Sequence, residues 1–305
     1  MALHRLTRVT IGVPDPVGVG SYYTDFGLTP CGDGSFATED GGEQLRLVER
    51  PARTLVELSV GADDLDDLGR IAASLGRLGV PCDLADGALS TREPSAGFSV
   101  RVHVVPRLAQ RPVPPTPYNG PARTERLHRA PGVLRESPVK PKRLGHTVVG
   151  TANLEATVGF FVDGLGFKVS DQIGDKGAFL RCSSDHHNFL ALAAPLNFLH
   201  HTSWQVDDID EIGRGASSML EGHPERHVWG LGRHHAGSNF FWYLKDPAGN
   251  FSEYFADMDC IPEDELWEPE VFHGKQGLFN WGPPPPPSFL EPDDLAGLMT
   301  GQHTS

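Results

Sequence analysis

A histidine, a tyrosine nine residues on and a glutamate ten beyond that share one stretch, which runs from His234 to Glu253 and contains Tyr243. Upstream, Gly145-His146-Thr147-Val148-Val149 and His200-His201-Thr202-Ser203-Trp204-Gln205-Val206 each place histidine in a strand-like segment. Two imidazoles and one carboxylate form a ligand set of non-haem iron(II), firm on one side and vacant on the other, so a substrate and dioxygen can bind one metal together. His146, His201 and Glu253 are the candidate ligands. They leave a single net positive charge on Fe(II), which a singly deprotonated catechol would neutralise in a site without water. Glu253 sits between Phe251 and Phe255, where a purely structural role would leave a buried carboxylate unpaired at high cost. His4, His103, His128, His223, His227, His273 and His303 are read as surface or satisfied core residues.

The ligands need strands to hold them, and the chain supplies a repeated pattern. Arg143-Leu144-Gly145-His146-Thr147-Val148-Val149-Gly150 parallels Arg5-Leu6-Thr7-Arg8-Val9-Thr10-Ile11-Gly12, and the segment from Val206 to Arg214 parallels that from Ala62 to Arg70. Two copies of one domain plan follow. Each copy starts with a strand, continues into an amphipathic helix and then shows several strand-like runs, an order β-α-β-β-β that repeats. In the second copy the three-to-four spacing predicts helices over 153–164 and 208–221, the latter capped by Asp207 or Asp208. Ala178–Cys182, Asn188–Leu192 and Phe240–Leu244 have strand composition, and Asp246-Pro247-Ala248-Gly249-Asn250 closes the last hairpin.

The expected division is an N-terminal domain over residues 1–109, a proline-rich linker over 110–141, a catalytic domain over 142–259 and a proline-rich tail over 260–305. Aligning the copies puts Arg8 where His146 stands and Glu57 where His201 stands, so the first domain is expected to bind no metal and to contribute packing and oligomer contacts. The four cysteines, Cys31, Cys82, Cys182 and Cys260, form no CxxC pair, which argues against a thiolate zinc site or a disulfide framework and for a reducing cytoplasm. A net charge of −14 disfavours nucleic acid and anionic membrane surfaces. Residues 1–8 lack the apolar stretch of a signal peptide, and no run of 18 apolar residues occurs.

The run from His234 to Glu253 resembles the signature of type I extradiol ring-cleavage dioxygenases in the vicinal oxygen chelate (glyoxalase/bleomycin resistance) superfamily. The resemblance extends to Phe179–Leu192, where the second histidine of His186-His187 matches the family's acid/base residue, and to His200-His201, whose second member matches a metal ligand. It implies an α+β fold of two tandem vicinal oxygen chelate domains, each a pair of βαβββ modules forming an open barrel. It also implies Fe(II), with Mn(II) as the other metal that such ligands accept, and His146, His201 and Glu253 as its ligands. His187, His234 and Tyr243 are implied as catalytic residues. Ring cleavage needs a group that takes the second catechol proton and later returns one, which suits a histidine, here His187. His234 and Tyr243 would hydrogen-bond the substrate oxygens and polarise the developing ketone. His186, His200 and His235 are read as structural.

Some relatives hold a substrate carboxylate with an arginine five residues before the equivalent of His234; Trp229 stands there in this chain. Trp229, Phe240 and Trp242 are therefore expected to line a pocket for an apolar or polycyclic catechol. The tail, with Trp267, Phe272 and the run Asn280–Phe289, could fold over the mouth of the site, pack at a subunit interface or stay disordered. The expected partners are a catechol and O2, in a homo-oligomer. Two alternatives stay open: a metal-dependent isomerase or lyase of glyoxalase type, which does not need His187, His234 and Tyr243 together, and a non-catalytic small-molecule-binding protein on the same scaffold.

Overall fold

The computed structural model describes residues 2–300, so His303 lies outside the described residues. The first half runs β1 (Leu3–Val13), α1 (Pro16–Asp25), β2 (Thr29–Gly32), β3 (Ser35–Thr38), β4 (Gly42–Glu49), then β5 (Thr54–Ala62), α2 (Leu65–Arg77), β6 (Cys82–Ala85), β7 (Ala88–Arg92) and β8 (Ser99–Val104). That is βαβββ twice. A connection carrying only the short α3 (Pro131–Leu134) follows. The second half repeats the plan with β9 (Arg143–Thr151), α4 (Leu154–Gly159), β10 (Lys168–Ile173), β11 (Gly177–Arg181) and β12 (Phe189–Ala193), then β13 (Phe198–Gln205), α5 (Ile209–Leu220), β14 (His227–Arg233), β15 (Phe240–Lys245) and β16 (Phe251–Ala256). The tail adds β17 (Val271–Phe272), α6 (Pro287–Leu290) and α7 (Leu295–Thr300).

The strands form an eight-stranded sheet ordered β2-β3-β4-β1-β5-β8-β7-β6 and a nine-stranded sheet ordered β14-β15-β16-β13-β9-β12-β11-β10-β17. In each, the first strands of the two modules, β1 with β5 and β9 with β13, pair antiparallel at the centre, and neither sheet pairs its outermost strands with each other. Local sequence accounts for the helices. Asp208 caps α5 by accepting from Glu211 N–H, and Asn153 caps α4 by accepting from Ala156 N–H. The helix expected over 153–164 is α-helical only to Gly159 and widens into a π-turn from Phe160 to Leu165, ended by Gly166 in the left-handed conformation. Among the described residues no helix is long and apolar enough to cross a membrane.

One apolar core spans both halves. Phe26 stacks on Tyr254 at 3.9 Å, the Tyr254 hydroxyl donates to the Phe26 carbonyl at 2.7 Å, and Tyr22 Oη lies 2.5 Å from Ser252 Oγ. Tyr254 and Ser252 flank Glu253 on β16, so the N-terminal half braces the strand that carries the carboxylate. The connection is tied down as well: Arg135 holds the Asp208 carboxylate through two bonds of 2.9 and 2.6 Å.

Candidate metal centre and active site

Strand register places the ligand candidates on one face. Ser203 on β13 pairs with His146 on β9 and with Glu253 on β16, and Glu253 pairs with Tyr243 on β15. Cross-strand partners point the same way, and residues two apart share a face, so His201 joins them. A β-bulge does the rest: Leu199 pairs with Val149 and His201 with Val148, leaving His200 as the extra residue. The bulge lets two successive histidines touch, with Nδ1 of His200 2.7 Å from Nδ1 of His201.

One ligand atom each from His146, His201 and Glu253 all lie within 4.8 Å of one another, and all three residues are buried. Nε2 of His146 stands 3.0 Å and Nε2 of His201 3.6 Å from Glu253 Oε2. Neither Glu253 Oε2 nor His201 Nε2 has a hydrogen-bond partner among the described residues. A buried carboxylate oxygen and an imidazole lone pair left unsatisfied against each other are costly in a protein alone, and a divalent cation between them satisfies both. The donor set of two nitrogens and one carboxylate therefore fits a metal. Burial pushes the Glu253 carboxyl up, but His146, His234 and His201 outweigh it and hold it below the usual carboxylate range. Burial, with His200 beside it, keeps His201 neutral as a ligand must be.

The remaining predicted groups ring this triad. His187 faces His146 at 4.3 Å between ring centroids, and its burial among imidazoles holds it well below the ordinary histidine range. Behind it, His186 lies with Nδ1 3.0 Å from His187 Nδ1 and Nε2 2.7 Å from the Asp171 carboxylate. His234 Nε2 is 2.9 Å from the Tyr243 hydroxyl and 3.7 Å from Glu253 Oε1, and its Nδ1 is 2.5 Å from the Leu278 carbonyl. Burial, with Glu253 nearby, keeps Tyr243 a neutral phenol. Asn239 Nδ2 donates to Glu253 Oε1 at 3.3 Å.

Of the residues expected to line a substrate pocket, the structure brings only Trp229 to this group, where it lies flat against Tyr243 and edge-on to His234. Phe240 and Trp242 alternate with Tyr243 along β15 and face away from it; Phe240 packs under the Arg233 guanidinium and Trp242 donates to His227. Phe241, on Tyr243's face, stacks on His234 at 4.0 Å instead. His186, His200, Asp171 and Asn239 also belong to the site and were not anticipated, and Phe289 brings the tail to it, one of the three courses open to that segment. In the first half, Arg8 and Glu57 pair with each other at 3.2 Å. His235 packs edge-on against Phe272.

Residues 143–254 match the Glyoxalase/Bleomycin resistance protein/Dioxygenase superfamily. The chain is 31% identical over 305 residues to Metapyrocatechase 2 of Cupriavidus necator, covering 95% of this chain and 92% of that protein. The chain belongs to the extradiol dioxygenases of this superfamily. Among solved structures, this extradiol dioxygenase is similar to the Mn(II)-bound glyoxalase of Novosphingobium aromaticivorans, with a TM-score of 0.73 and 26% identity over 93% of this chain and 95% of the other. It also shares its fold with BphC, a halotolerant catechol dioxygenase, at a TM-score of 0.74 and 17% identity over 95% and 96% of the two chains. The two-domain α+β architecture of the extradiol dioxygenases is thus the fold found here.

Proposed function

We propose that this extradiol dioxygenase binds a catechol at a ferrous centre held by His146, His201 and Glu253 and opens its ring next to the diol, placing both atoms of O2 in the product. Manganese is the other metal the donor set accepts. When bound, the ion supplies a Lewis-acidic centre with free positions where both diol oxygens and dioxygen meet.

The protein's own groups handle protons and water. Asp171 accepts from His186 Nε2–H, so Nδ1 of His186 is placed to accept from His187 Nδ1–H, an arrangement that leaves His187 Nε2 unprotonated and ready to take the second catechol proton. The same ring returns that proton later in the reaction. Tyr243 is a neutral phenol with a single hydrogen: His234, its Nδ1–H committed to the Leu278 carbonyl, presents Nε2 as the acceptor that holds this hydrogen in the free site, and a bound substrate oxygen draws it away. Trp229, Phe241, Phe251 and Phe289 surround these groups with apolar surface that excludes water. No carboxylate clamp is evident at Trp229, which favours an uncharged apolar or polycyclic catechol.

The observation that carries this reading over glyoxalase-type isomerisation is the presence of His187, His234 and Tyr243 around the triad. Anaerobic reconstitution with Fe(II), followed by oxygen uptake and visible absorbance over a panel of catechols, tests it. Consumption of one O2 per catechol with a coloured ring-opened product is expected; metal binding without oxygen uptake on any catechol would return the isomerase reading.

A further inference from the structure

We infer that the backbone carbonyl of Phe289, in the C-terminal extension, fixes the tautomer and orientation of His201 through His200, making the extension a working part of the metal centre. The inference rests on the reading of His201 as a ligand. A carbonyl only accepts, so at 2.6 Å from the Phe289 carbonyl the Nε2 of His200 must carry its hydrogen. On the neutral ring Nδ1 then holds a lone pair, and Nδ1 of His201, 2.7 Å away, must be the donor. That leaves His201 Nε2 with its lone pair aimed at Glu253. The bulge at His200 is what brings the two rings into contact. His146 has no such arrangement, since its Nδ1 lacks a partner among the described residues.

The carbonyl is itself held in place. The Phe289 ring packs against His200, Tyr243 and Trp229 at centroid separations of 4.7–4.8 Å. Arg53, buried in the N-terminal half, binds the Asp294 carboxylate through two bonds of 2.6 and 2.8 Å and donates a third, of 2.5 Å, to the Leu199 carbonyl. One guanidinium from the half without the triad thus fixes both the extension and the residue that precedes His200.

Three forms of the protein test this: the full chain, Asp294→Ala, and a chain ending at Asn280, which keeps the Leu278 carbonyl on His234. Zinc(II) is the diamagnetic probe, with affinity measured by chelator competition and histidine tautomers by long-range 15N–1H correlation. The full chain should show His200 protonated at Nε2 and His201 at Nδ1. In both variants His201 should become a mixture of tautomers, with zinc held roughly 10–100-fold more weakly. An unchanged His201 tautomer, or zinc affinity within about twofold of the full chain in both variants, overturns the inference. Should the shortened chain fail to fold by circular dichroism, Asp294→Ala decides alone. Failure of the full chain to bind zinc would instead remove the metal-centre reading, while the tautomer spectra would still decide this one.

Discussion

The Nδ1 atoms of His186 and His187 lie 3.0 Å apart, and His186 reaches back through Nε2 to the Asp171 carboxylate at 2.7 Å. The proton on the ring that faces the triad is therefore placed by a neighbour that never touches it. His187→Ala should keep the metal and lose turnover by roughly 10²–10⁴-fold, the range for losing a general acid–base group. His186→Phe should keep the metal too, with a smaller loss and an altered pH profile, because His187 can then choose either tautomer. Metal content by atomic absorption beside oxygen-uptake rates checks both; loss of metal from His187→Ala would remove it from the acid–base role.

Glu253 is a fully buried carboxylate that accepts one long hydrogen bond, from Asn239, and otherwise faces the imidazoles of His146, His201 and His234. In the metal-free protein the surrounding imidazoles hold it ionised, and in the metal-bound protein it is the anionic ligand. Glu253→Gln should therefore abolish the rise in Tm that Fe(II) or Zn(II) produces in the native sequence. Differential scanning calorimetry with and without metal reads this, and a persisting metal-induced shift would contradict the ligand assignment.

Asp246, in the turn that closes the β15–β16 hairpin, is pushed up to about 6 from 3.8 by burial, despite accepting from the Ala248 and Asn250 backbone amides and from the Asn250 side chain. Its folded form binds a proton more tightly than the unfolded chain does, so it destabilises the fold progressively as pH rises from about 4 to about 6 and by a constant amount above that. The penalty above this window is on the order of 3 kcal/mol from the size of the shift. Asp246→Asn keeps an amide oxygen for the two backbone donors and removes the titration. The stability of the native sequence relative to this variant should fall across that window, which urea midpoints measured from pH 4 to 7 will show; parallel curves would refute it.

The strands that carry the ligands were legible because alternation, aromatic content and the Asp-Pro-Ala-Gly-Asn turn act locally, and the capping aspartate at 208 is a local signal as well. The internal repeat likewise announced the four βαβββ units. Pleat phase was also available: Glu253 pairs with Tyr243, so Phe241 and not Phe240 or Trp242 shares its face. Aromatic content alone does not choose a face. The roles of His186 and His200 were hidden because they depend on a bulge and on partners, Asp171 and the Phe289 carbonyl, fixed only by tertiary packing. The tail, with its five consecutive prolines, has no apolar period to read, and its path is set by Arg53 from 241 residues away.

Tyr254 separates the two effects that the N-terminal half has on the site, since it neighbours Glu253 but points to the opposite face of β16. Its ring lies parallel to Phe26 with 2° between planes, and its hydroxyl donates to the Phe26 carbonyl. Tyr254→Phe removes only the hydrogen bond and leaves that buried carbonyl unsatisfied, a cost of about 1–3 kcal/mol. Tyr254→Ala also empties the stack against the other half and should cost about 3–5 kcal/mol. If the N-terminal half braces β16, the alanine variant should also release metal faster, while the phenylalanine variant should hold it as the native sequence does. Urea unfolding paired with metal-release rates separates the two, and equal release from both variants would show that the brace does not reach Glu253.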